Sequence, residues 1–342
     1  MESTENISSK SARTTKEKIY LGIVIAIATL LWGLLFFSLL RQIESAFNKE
    51  DPEKGCYVQD IYTQSIIRIK EKKLIAGEKC IRWNELTEEE KKEIKEANKS
   101  VVAKIFSSIS TPIFLLFYLG FGLFSHLSAM AYIRMNAVKI SKRQFPEFYE
   151  ALLEQSKKLG MATPPDMYIL LGNGVLNAFA TRLVFRRLLI IYSNLAEALI
   201  EGKDQRQLEA VMAHELGHHA LGHTHPYNIL LIPGLLIPFL GTALSRAREY
   251  SADRIMSLVI KDKAICQRSL MKLAAGAVLG RTANIVAFTD QAYEESGFFT
   301  WVAEISASHP HLSKRVYALE EEKTTEIDSQ ATKNSNEESL EL

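Results

Sequence analysis

Two long apolar runs without a charged residue constrain this chain more than any other feature of its sequence. Residues 19–40 and 105–133 contain no Asp, Glu, Lys or Arg. About 20 helical residues cross the ~30 Å hydrocarbon core of a bilayer, so each run is long enough to form a transmembrane helix. The alternatives are a cleaved signal peptide for the first run, which exceeds the usual ~7–15 apolar residues, and a buried helix of a soluble domain for the second.

Basic residues flank both runs on the sides that the positive-inside rule assigns to the cytoplasm. They are Lys10, Arg13, Lys16 and Lys18 before the first run, and Arg134, Lys139, Lys142 and Arg143 after the second. We therefore expect a cytoplasmic tail over residues 1–18, transmembrane helices over 19–40 and 105–133, and an extracytoplasmic loop over 41–104.

The loop over residues 41–104 contains two of the three cysteines, Cys56 and Cys80. An oxidising compartment favours a disulfide between them, and two free thiols are the alternative. Thr87 and Glu90 form a capping-box pattern before a charged run that ends near Lys99, which predicts a solvated helix.

The rest of the chain is expected to form one α+β domain over residues 139–322. Residues 145–159 have helical apolar spacing, and 166–171, 177–183 and 188–192 have strand composition, with a turn near Arg186-Arg187. Asp204 is expected to cap a helix that runs to about Gly222, and another helix starts near Ser245. The acidic residues 323–342 are expected to be a disordered tail.

Composition excludes two further classes of protein. The formal net charge is +1, which argues against binding nucleic acid by general attraction to phosphates. Three cysteines in 342 residues are too few for a disulfide-framework scaffold.

The motif His214-Glu215-Leu216-Gly217-His218 lies within the helix predicted after Asp204. Residues four apart share one face of a helix, so His214 and His218 can bind the same zinc ion. Glu215 between them can act as general base toward water at the metal. A chance match is the alternative, but the apolar residues before the motif indicate a helix with a buried face. His219, His223 and His225 are interpreted as solvated or as residues that contact the ligands without binding the metal.

A catalytic zinc site needs a third protein ligand and an open position. Glu249 and Asp253 are four residues apart on the next predicted helix. One can bind the metal while the other accepts a hydrogen bond from a ligand histidine. The alternative is a solvated carboxylate pair that forms salt bridges with nearby arginines.

Three motifs together resemble the HtpX-type integral-membrane zinc endopeptidases, whose relatives include the CAAX prenyl-protein endopeptidases. They are HELGH, the later REYSAD and the earlier Asn177-Ala178-Phe179-Ala180, and the resemblance covers residues 140–320. It implies a zincin-like domain with one Zn²⁺ per chain, bound by His214, His218 and Glu249. It also implies a bacterial-type inner membrane with the peptidase domain in the cytoplasm.

The resemblance also implies roles for further residues. Glu215 is the catalytic base, and Asp253 orients a ligand histidine. Residues 177–180 form the strand edge that takes an extended substrate. The element Ser308-His309-Pro310 with Arg315 resembles the family's late His-Pro element, so His309 would stabilise the oxyanion. HtpX-type proteins usually carry two apolar helices between the zinc helix and the third ligand, whereas this chain has one short block.

That third apolar block, residues 227–244, is broken by Pro233-Gly234, Pro238 and Gly241. His218 and Glu249 must reach the same ion, so the block cannot cross the membrane once. We expect a re-entrant or interfacial element, either a hairpin folded at Pro233-Gly234 or a helix pair lying on the membrane surface or the domain core.

The function expected from the sequence is endoproteolysis of polypeptide substrates that are membrane or misfolded proteins, by an enzyme in contact with the lipid bilayer. Two alternatives stay open: a dedicated processing protease of the CAAX type, and a membrane scaffold with a structural zinc. Structural zinc sites usually have four protein ligands with several cysteines, and the predicted cytoplasmic side has only Cys266.

Overall fold

The computed structural model describes residues 12–47, 56–59, 66–69, 81–183, 186–200 and 205–320. The chain divides into two compact units, one formed by residues up to Leu31 and from Leu127 onward, and the other by Trp32–His126. The predicted tail at 323–342 and the predicted cap Asp204 lie outside the described residues.

Two long helices contain the apolar runs. Helix α1 covers Thr15–Phe47 and helix α2 covers Glu88–Asn136. Their segments Thr15–Ser38 and Leu116–Asn136 are long and apolar enough to cross a membrane. The side chain of Glu90 accepts hydrogen bonds from the backbone N–H (2.7 Å) and hydroxyl (2.7 Å) of Thr87, as a capping box does. The helix that starts at this cap does not end with the charged run near Lys99, because it continues through the apolar run to Asn136.

The smaller unit contains a two-stranded antiparallel sheet of β1 (Cys56–Gln59) and β2 (Ile66–Ile69). The backbone of Tyr57 in β1 also pairs with Ile81. A short 3₁₀ helix follows at Trp83–Glu85. Cys80 lies outside the described residues, so the disulfide between Cys56 and Cys80 stays a prediction.

The larger unit contains a four-stranded mixed sheet. Its strands are β3 (Val138–Lys139), β4 (Asp166–Leu170), β5 (Ala178–Leu183) and β6 (Arg186–Tyr192), in the order β3-β4-β6-β5. Strands β4 and β6 are parallel, and the other pairs are antiparallel. Arg186 and Arg187 themselves lie in β6, opposite Leu183 and Arg182. The connection predicted near them falls on residues 184–185, outside the described residues.

Helices pack on this sheet and on one another. They are α3 (Pro146–Lys158), α4 (Ser193–Ile200), α5 (Gln205–Ala220), α6 (Ile232–Leu235), α7 (Leu240–Ile260), α8 (Lys263–Thr282), α9 (Ile285–Glu294), α10 (Phe298–Ser306) and α11 (residues 312–320). The observed architecture is therefore mainly helical with a small mixed sheet, as predicted.

One hydrophobic core holds α5 and α7 against the sheet. Leu189 and Ile191 of β6, Leu216 of α5 and Ile255 of α7 are fully buried within it. Burial of each such side chain contributes about 1.5–3 kcal/mol. The core therefore fixes the relative position of α5 and α7, the two helices that carry the predicted metal ligands.

The third apolar block folds beside α1. A 3₁₀ helix at Pro226–Leu231 leads into α6, and residues 236–239 then bend into α7. Of the two predicted forms, the hairpin folded at Pro233-Gly234 is not observed, because both residues lie within α6, with Pro233 in the first turn, where proline is favoured. Leu231 and Leu244 are buried against Val24 of α1, so this element is held by the first long helix.

Candidate metal centre

Helix α5 places His214 and His218 on the side that faces α7. The Nε2 atoms of His214 and His218 are 3.3 Å apart, as the i,i+4 spacing predicts. His214 and Glu215 are almost completely buried, with 8% and 6% of their surface exposed. Both histidine rings therefore present one nitrogen to the same point.

Helix α7 brings the carboxylate of Glu249 to that point. Its Oε2 lies 3.5 Å from His214 Nε2, and its Oε1 lies 3.4 Å from His218 Nε2. Gly217 allows this close approach, because a Cβ there would come within 3.1 Å of Ile255 Cβ on α7. The pair of helices thus sets the distances between the three groups.

These three side chains fit a tetrahedral metal ion. Four ligands at about 2.0–2.1 Å around zinc lie about 3.3–3.4 Å from one another. The 3.3 Å between the two Nε2 atoms matches one edge of such a tetrahedron. Each Nε2 atom has a different oxygen of Glu249 at 3.4–3.5 Å, and one ligand atom from each of the three residues lies within 4.8 Å of the other two. Two imidazoles and one carboxylate are also a donor set found in catalytic zinc sites, which leave one position open.

Asp253 and Arg315 contact the proposed ligands on the side away from the metal position. Asp253 Oδ1 lies 2.9 Å from His214 Nδ1, on the side of the ring opposite the metal position. Arg315 donates to both carboxylate oxygens of Asp253 at 2.7 Å and reaches Glu249 Oε2 at 3.1 Å. Asp253, Glu249 and Arg315 are all buried. Arg315 forms an ion pair with both carboxylates, so none of the three charges is buried without a partner of opposite sign.

The electrostatics of this cluster favour positive charge at His214. Burial alone would lower the pKa of His214, but hydrogen bonds to Asp253 and Glu249 outweigh it and raise the pKa to about 10. Burial also opposes ionisation of Glu249, yet the two histidines and Arg315 hold the pKa of Glu249 well below its usual value. A divalent cation suits such a site, because metal binding requires an ionised carboxylate.

The remaining predicted residues line one cleft of about 320 Å³. Glu215 opens into this cleft together with both histidines. His309 lies at its rim, with 67% of the side chain exposed and Nε2 3.6 Å from Glu249 Oε1. Its Nδ1 is 3.0 Å from the hydroxyl of Ser308.

Residues 177–180 form one wall of the same cleft. Ala178, Phe179 and Ala180 begin β5, the outermost strand of the sheet, and Asn177 precedes it. Within the part of the chain that is described, no strand pairs with the outer edge of β5. The metal position and a free strand edge therefore share one cavity.

Two histidines that were interpreted as peripheral have defined structural partners. His219 is buried, with Nε2 3.1 Å from the carbonyl of Leu188 and Nδ1 2.8 Å from the hydroxyl of Thr224. Burial lowers the pKa of His219 to about 4, so its ring is neutral. His219 is thus a structural residue that ties α5 to β6, and it is not solvated.

His223 contacts the metal centre directly. Its Nδ1 lies 2.9 Å from His218 Nδ1, and its Nε2 lies 3.0 Å from Oε1 of Glu17 in α1. The sequence leaves His223 either solvated or in contact with the ligands, and the structure places it in contact with His218. Nothing local in the sequence points to Glu17, because it is about 200 residues away in the chain.

Comparison with known proteins agrees with this geometry. The sequence model of peptidase family M48 matches residues 142–238 and 229–323. The chain is 28% identical to the plastoglobule-localized metallopeptidase 48 of Arabidopsis thaliana over 54% of this chain and 59% of that protein. It is 26% identical to an HtpX protease homologue of Helicobacter pylori over 56% of this chain and 72% of that protein.

The resemblance to HtpX-type proteases is confirmed by these relatives, although the chain spans well under two thirds of the length of the plant protein. The family match covers strands β4, β5 and β6 of the sheet, both ligand-bearing helices and Arg315. Because that match extends over more than half of its residues, the chain belongs to peptidase family M48.

Proposed function

We propose that this protein is a membrane-anchored, zinc-dependent endopeptidase. Its zinc ion would be bound by His214, His218 and Glu249, with Glu215 as general base. The observation that carries this proposal is the juxtaposition of a three-ligand site, whose ligand atoms all lie within 4.8 Å of one another, with a buried glutamate and a free strand edge in one cleft.

The chemistry follows from the positions of the protein groups. Bound zinc lowers the pKa of water to about 7 and polarises a carbonyl group. Glu215 accepts a proton from the attacking water and passes it to the leaving amine nitrogen. His309, at the rim of the cleft beside Glu249, would donate a hydrogen bond to the negative charge that develops on the scissile carbonyl oxygen.

The substrate backbone would add to the outer edge of β5 as a further strand. Asn177 accepts a hydrogen bond from the backbone N–H of Tyr192 at 2.9 Å, so this pair is a hydrogen-bonded one. Pairs alternate along an antiparallel ladder, which makes Phe179 a second bonded residue. Ala178 and Ala180 therefore direct their N–H and C=O groups outward, toward the cleft.

This alternation gives a sharp test of the substrate-binding edge. Ala180→Pro removes one outward N–H and leaves the ladder to β6 intact, and edge strands tolerate proline. One hydrogen bond contributes about 0.5–1.5 kcal/mol, so we expect kcat/KM for a peptide to fall about two- to tenfold with unchanged thermal stability. Phe179→Pro should instead break the ladder and lower stability. Unchanged kcat/KM in a folded A180P enzyme would contradict strand addition at β5.

The test of the whole proposal is Glu215→Gln in the full-length protein. Metal content by mass spectrometry should stay at one zinc per chain, because residue 215 is not a ligand. Cleavage of an unfolded or membrane-protein substrate should fall about 10²–10⁴-fold. Glu209→Gln, on the same helix, is the matched control. Full cleavage by E215Q would contradict the mechanism, and a metal-bound wild type without any cleavage would favour the scaffold alternative.

Membrane anchoring would place the cleft near the cytoplasmic face of a bacterial-type inner membrane. The supporting observations are the two apolar segments, their basic flanks and the packing of the 226–235 element on α1. Reporter fusions after residue 80 and residue 320 test this topology. We expect an extracytoplasmic signal from the first and a cytoplasmic signal from the second, and the reverse pattern would refute the topology.

A further inference from the structure

The residues that lead into α1 are docked on the peptidase domain. Ala12 is completely buried, and the side chain of Arg13 donates to the carbonyl of Leu221 just after α5. The backbone N–H of Thr14 donates to the hydroxyl of Ser251 on α7 at 3.0 Å. The start of α1 is therefore held between the two helices that carry the proposed metal ligands.

Glu17, in the first turn of α1, points into this contact. Its side chain is fully buried, and Oε1 lies 3.0 Å from His223 Nε2 and 3.5 Å from Arg13 Nε. His223 is also buried and lies 2.9 Å from His218 through the two Nδ1 atoms. A continuous chain of hydrogen bonds thus runs from the first long helix to a proposed ligand.

The direction of each hydrogen bond follows from the proposed metal assignment. If His218 binds the metal through Nε2, its proton must be on Nδ1. That proton can only be donated to Nδ1 of His223, which must then carry its own proton on Nε2. The Nε2–H group of His223 in turn needs an acceptor, and Oε1 of Glu17 lies where it is needed.

We propose that Glu17 is a positioning residue of the metal centre, which acts through His223 to fix the tautomer and orientation of His218. The inference rests on the proposed metal site. Each histidine ligand then has its own carboxylate partner. Asp253 of α7 acts directly on His214, whereas Glu17 of α1 acts on His218 through one intervening imidazole.

A simpler role for Glu17 is that of a helix cap, since Thr14-Thr15-Lys16-Glu17 matches the capping-box pattern. In a capping box, the glutamate accepts a hydrogen bond from the backbone N–H of the N-cap residue. Here that N–H, of Thr14, donates to Ser251, and the Glu17 carboxylate turns to His223. Only the other half of the box forms, from Glu17 N–H to the Thr14 hydroxyl at 3.3 Å.

The burial of Glu17 also argues against a role limited to helix capping. A capping glutamate is normally solvated, whereas burial of a carboxylate costs several kcal/mol unless charged or hydrogen-bonding partners offset it. A fully buried glutamate at this position therefore needs a reason beyond helix capping, and the contact with His223 supplies one.

The experiment measures metal binding by the full-length protein in detergent. Zn²⁺ affinity is obtained by competition with a chromogenic chelator, and the visible spectrum of the Co²⁺ form reports ligand geometry. Loss of a residue that orients a ligand histidine typically weakens metal binding 10–100-fold. For Glu17→Ala we expect Zn²⁺ affinity to fall about 10–100-fold and the Co²⁺ spectrum to change. For Glu17→Gln, which keeps the shape of the side chain without its charge, we expect a smaller loss of affinity.

Two controls separate positioning from capping and docking. Glu147→Ala removes an exposed glutamate from the first turn of α3, and Thr14→Val removes the cap hydroxyl. Neither should change the Co²⁺ spectrum. In a His223→Ala background, Glu17→Ala should have no further effect on affinity, because coupled residues are not additive.

The outcomes distinguish this inference from the proposed function. Wild-type protein without stoichiometric metal would overturn both. The role of Glu17 alone would be overturned if the wild-type protein binds metal and Glu17→Ala keeps both its Zn²⁺ affinity, within twofold of wild type, and the wild-type Co²⁺ spectrum. If Glu17→Ala does not fold, Glu17→Gln decides, and wild-type behaviour in both readouts would refute the inference.

Discussion

Asp253→Asn tests how much the metal centre depends on the group behind His214. Oδ1 of Asp253 faces His214 Nδ1 at 2.9 Å and Arg315 Nη2 at 2.7 Å, while Oδ2 accepts from Arg315 Nε at 2.7 Å. An asparagine has one acceptor oxygen, so one of its N–H groups must face either the ring or the guanidinium. The substitution thus keeps the volume but breaks at least one buried, charge-assisted hydrogen bond.

Two magnitudes follow from this geometry. Metal affinity should fall about 10–100-fold, equivalent to about 1.4–2.7 kcal/mol. The metal-free protein should also lose stability, because removing one partner of a buried ion pair costs about 3–5 kcal/mol. Arg315 keeps Glu249 as a partner at 3.1 Å, so the loss should lie toward the lower end of that range. Domain stabilities of about 5–15 kcal/mol leave the variant folded.

The assay combines chelator competition for Zn²⁺ affinity with thermal unfolding of the metal-free protein. Asp290→Asn is the matched control, since Asp290 is exposed on α9, and we expect wild-type values for it. Zn²⁺ affinity within twofold of wild type in a folded Asp253→Asn protein would refute the argument that Asp253 orients a ligand.

Three further predictions concern the rest of the molecule. Gly234→Ala should destabilise the protein by about 1–3 kcal/mol, because the new Cβ would lie 2.6 Å from the carbonyl oxygen of Val24. Gly22→Ala is the control, since Gly22 lies in α1 with open space around it; alanine has the higher helix propensity, so this variant should not lower the unfolding temperature in the same thermal scan. Cys266 is completely buried, and burial raises the pKa of its thiol to about 12. A thiol reagent should therefore leave Cys266 unmodified until denaturant is added, as peptide-resolved mass spectrometry would show. Rapid labelling of the native protein would contradict the buried position of Cys266. Removal of metal by a chelator should lower the unfolding temperature, since a ligand present at 100 times its Kd stabilises by about 2.7 kcal/mol; an identical temperature with and without metal would argue against binding to the folded state.

Local sequence patterns predicted the secondary structure correctly wherever it depends on residues that are neighbours in the chain. The two apolar runs, the helix that carries His214 and His218, and the strands β4, β5 and β6 follow from periodicity and composition. The common face of the two histidines follows from the helical repeat alone. The third apolar block is an exception, because Pro233 and Gly234, the predicted folding point of a hairpin, lie within the short helix α6, and the chain bends at residues 236–239 instead.

Which carboxylate faces the metal position was decided by tertiary structure. Glu249 and Asp253 have the same i,i+4 spacing, and spacing alone left their roles interchangeable. The packing of α7 on α5, close at Gly217, turns Glu249 toward both Nε2 atoms and Asp253 toward the back of His214. Arg315 then completes the cluster from a distant part of the chain.

The contact between Glu17 and His223 shows the limit of sequence reasoning most clearly. In the sequence, Glu17 belongs to a capping pattern and His223 to a cluster of histidines. Only the docking of α1 between α5 and α7 brings the two side chains to 3.0 Å. Local patterns specify which elements form, because propensity and periodicity act over a few residues. The partners of a buried charge depend on which elements pack together, and that is settled by the burial of apolar surface across the whole domain.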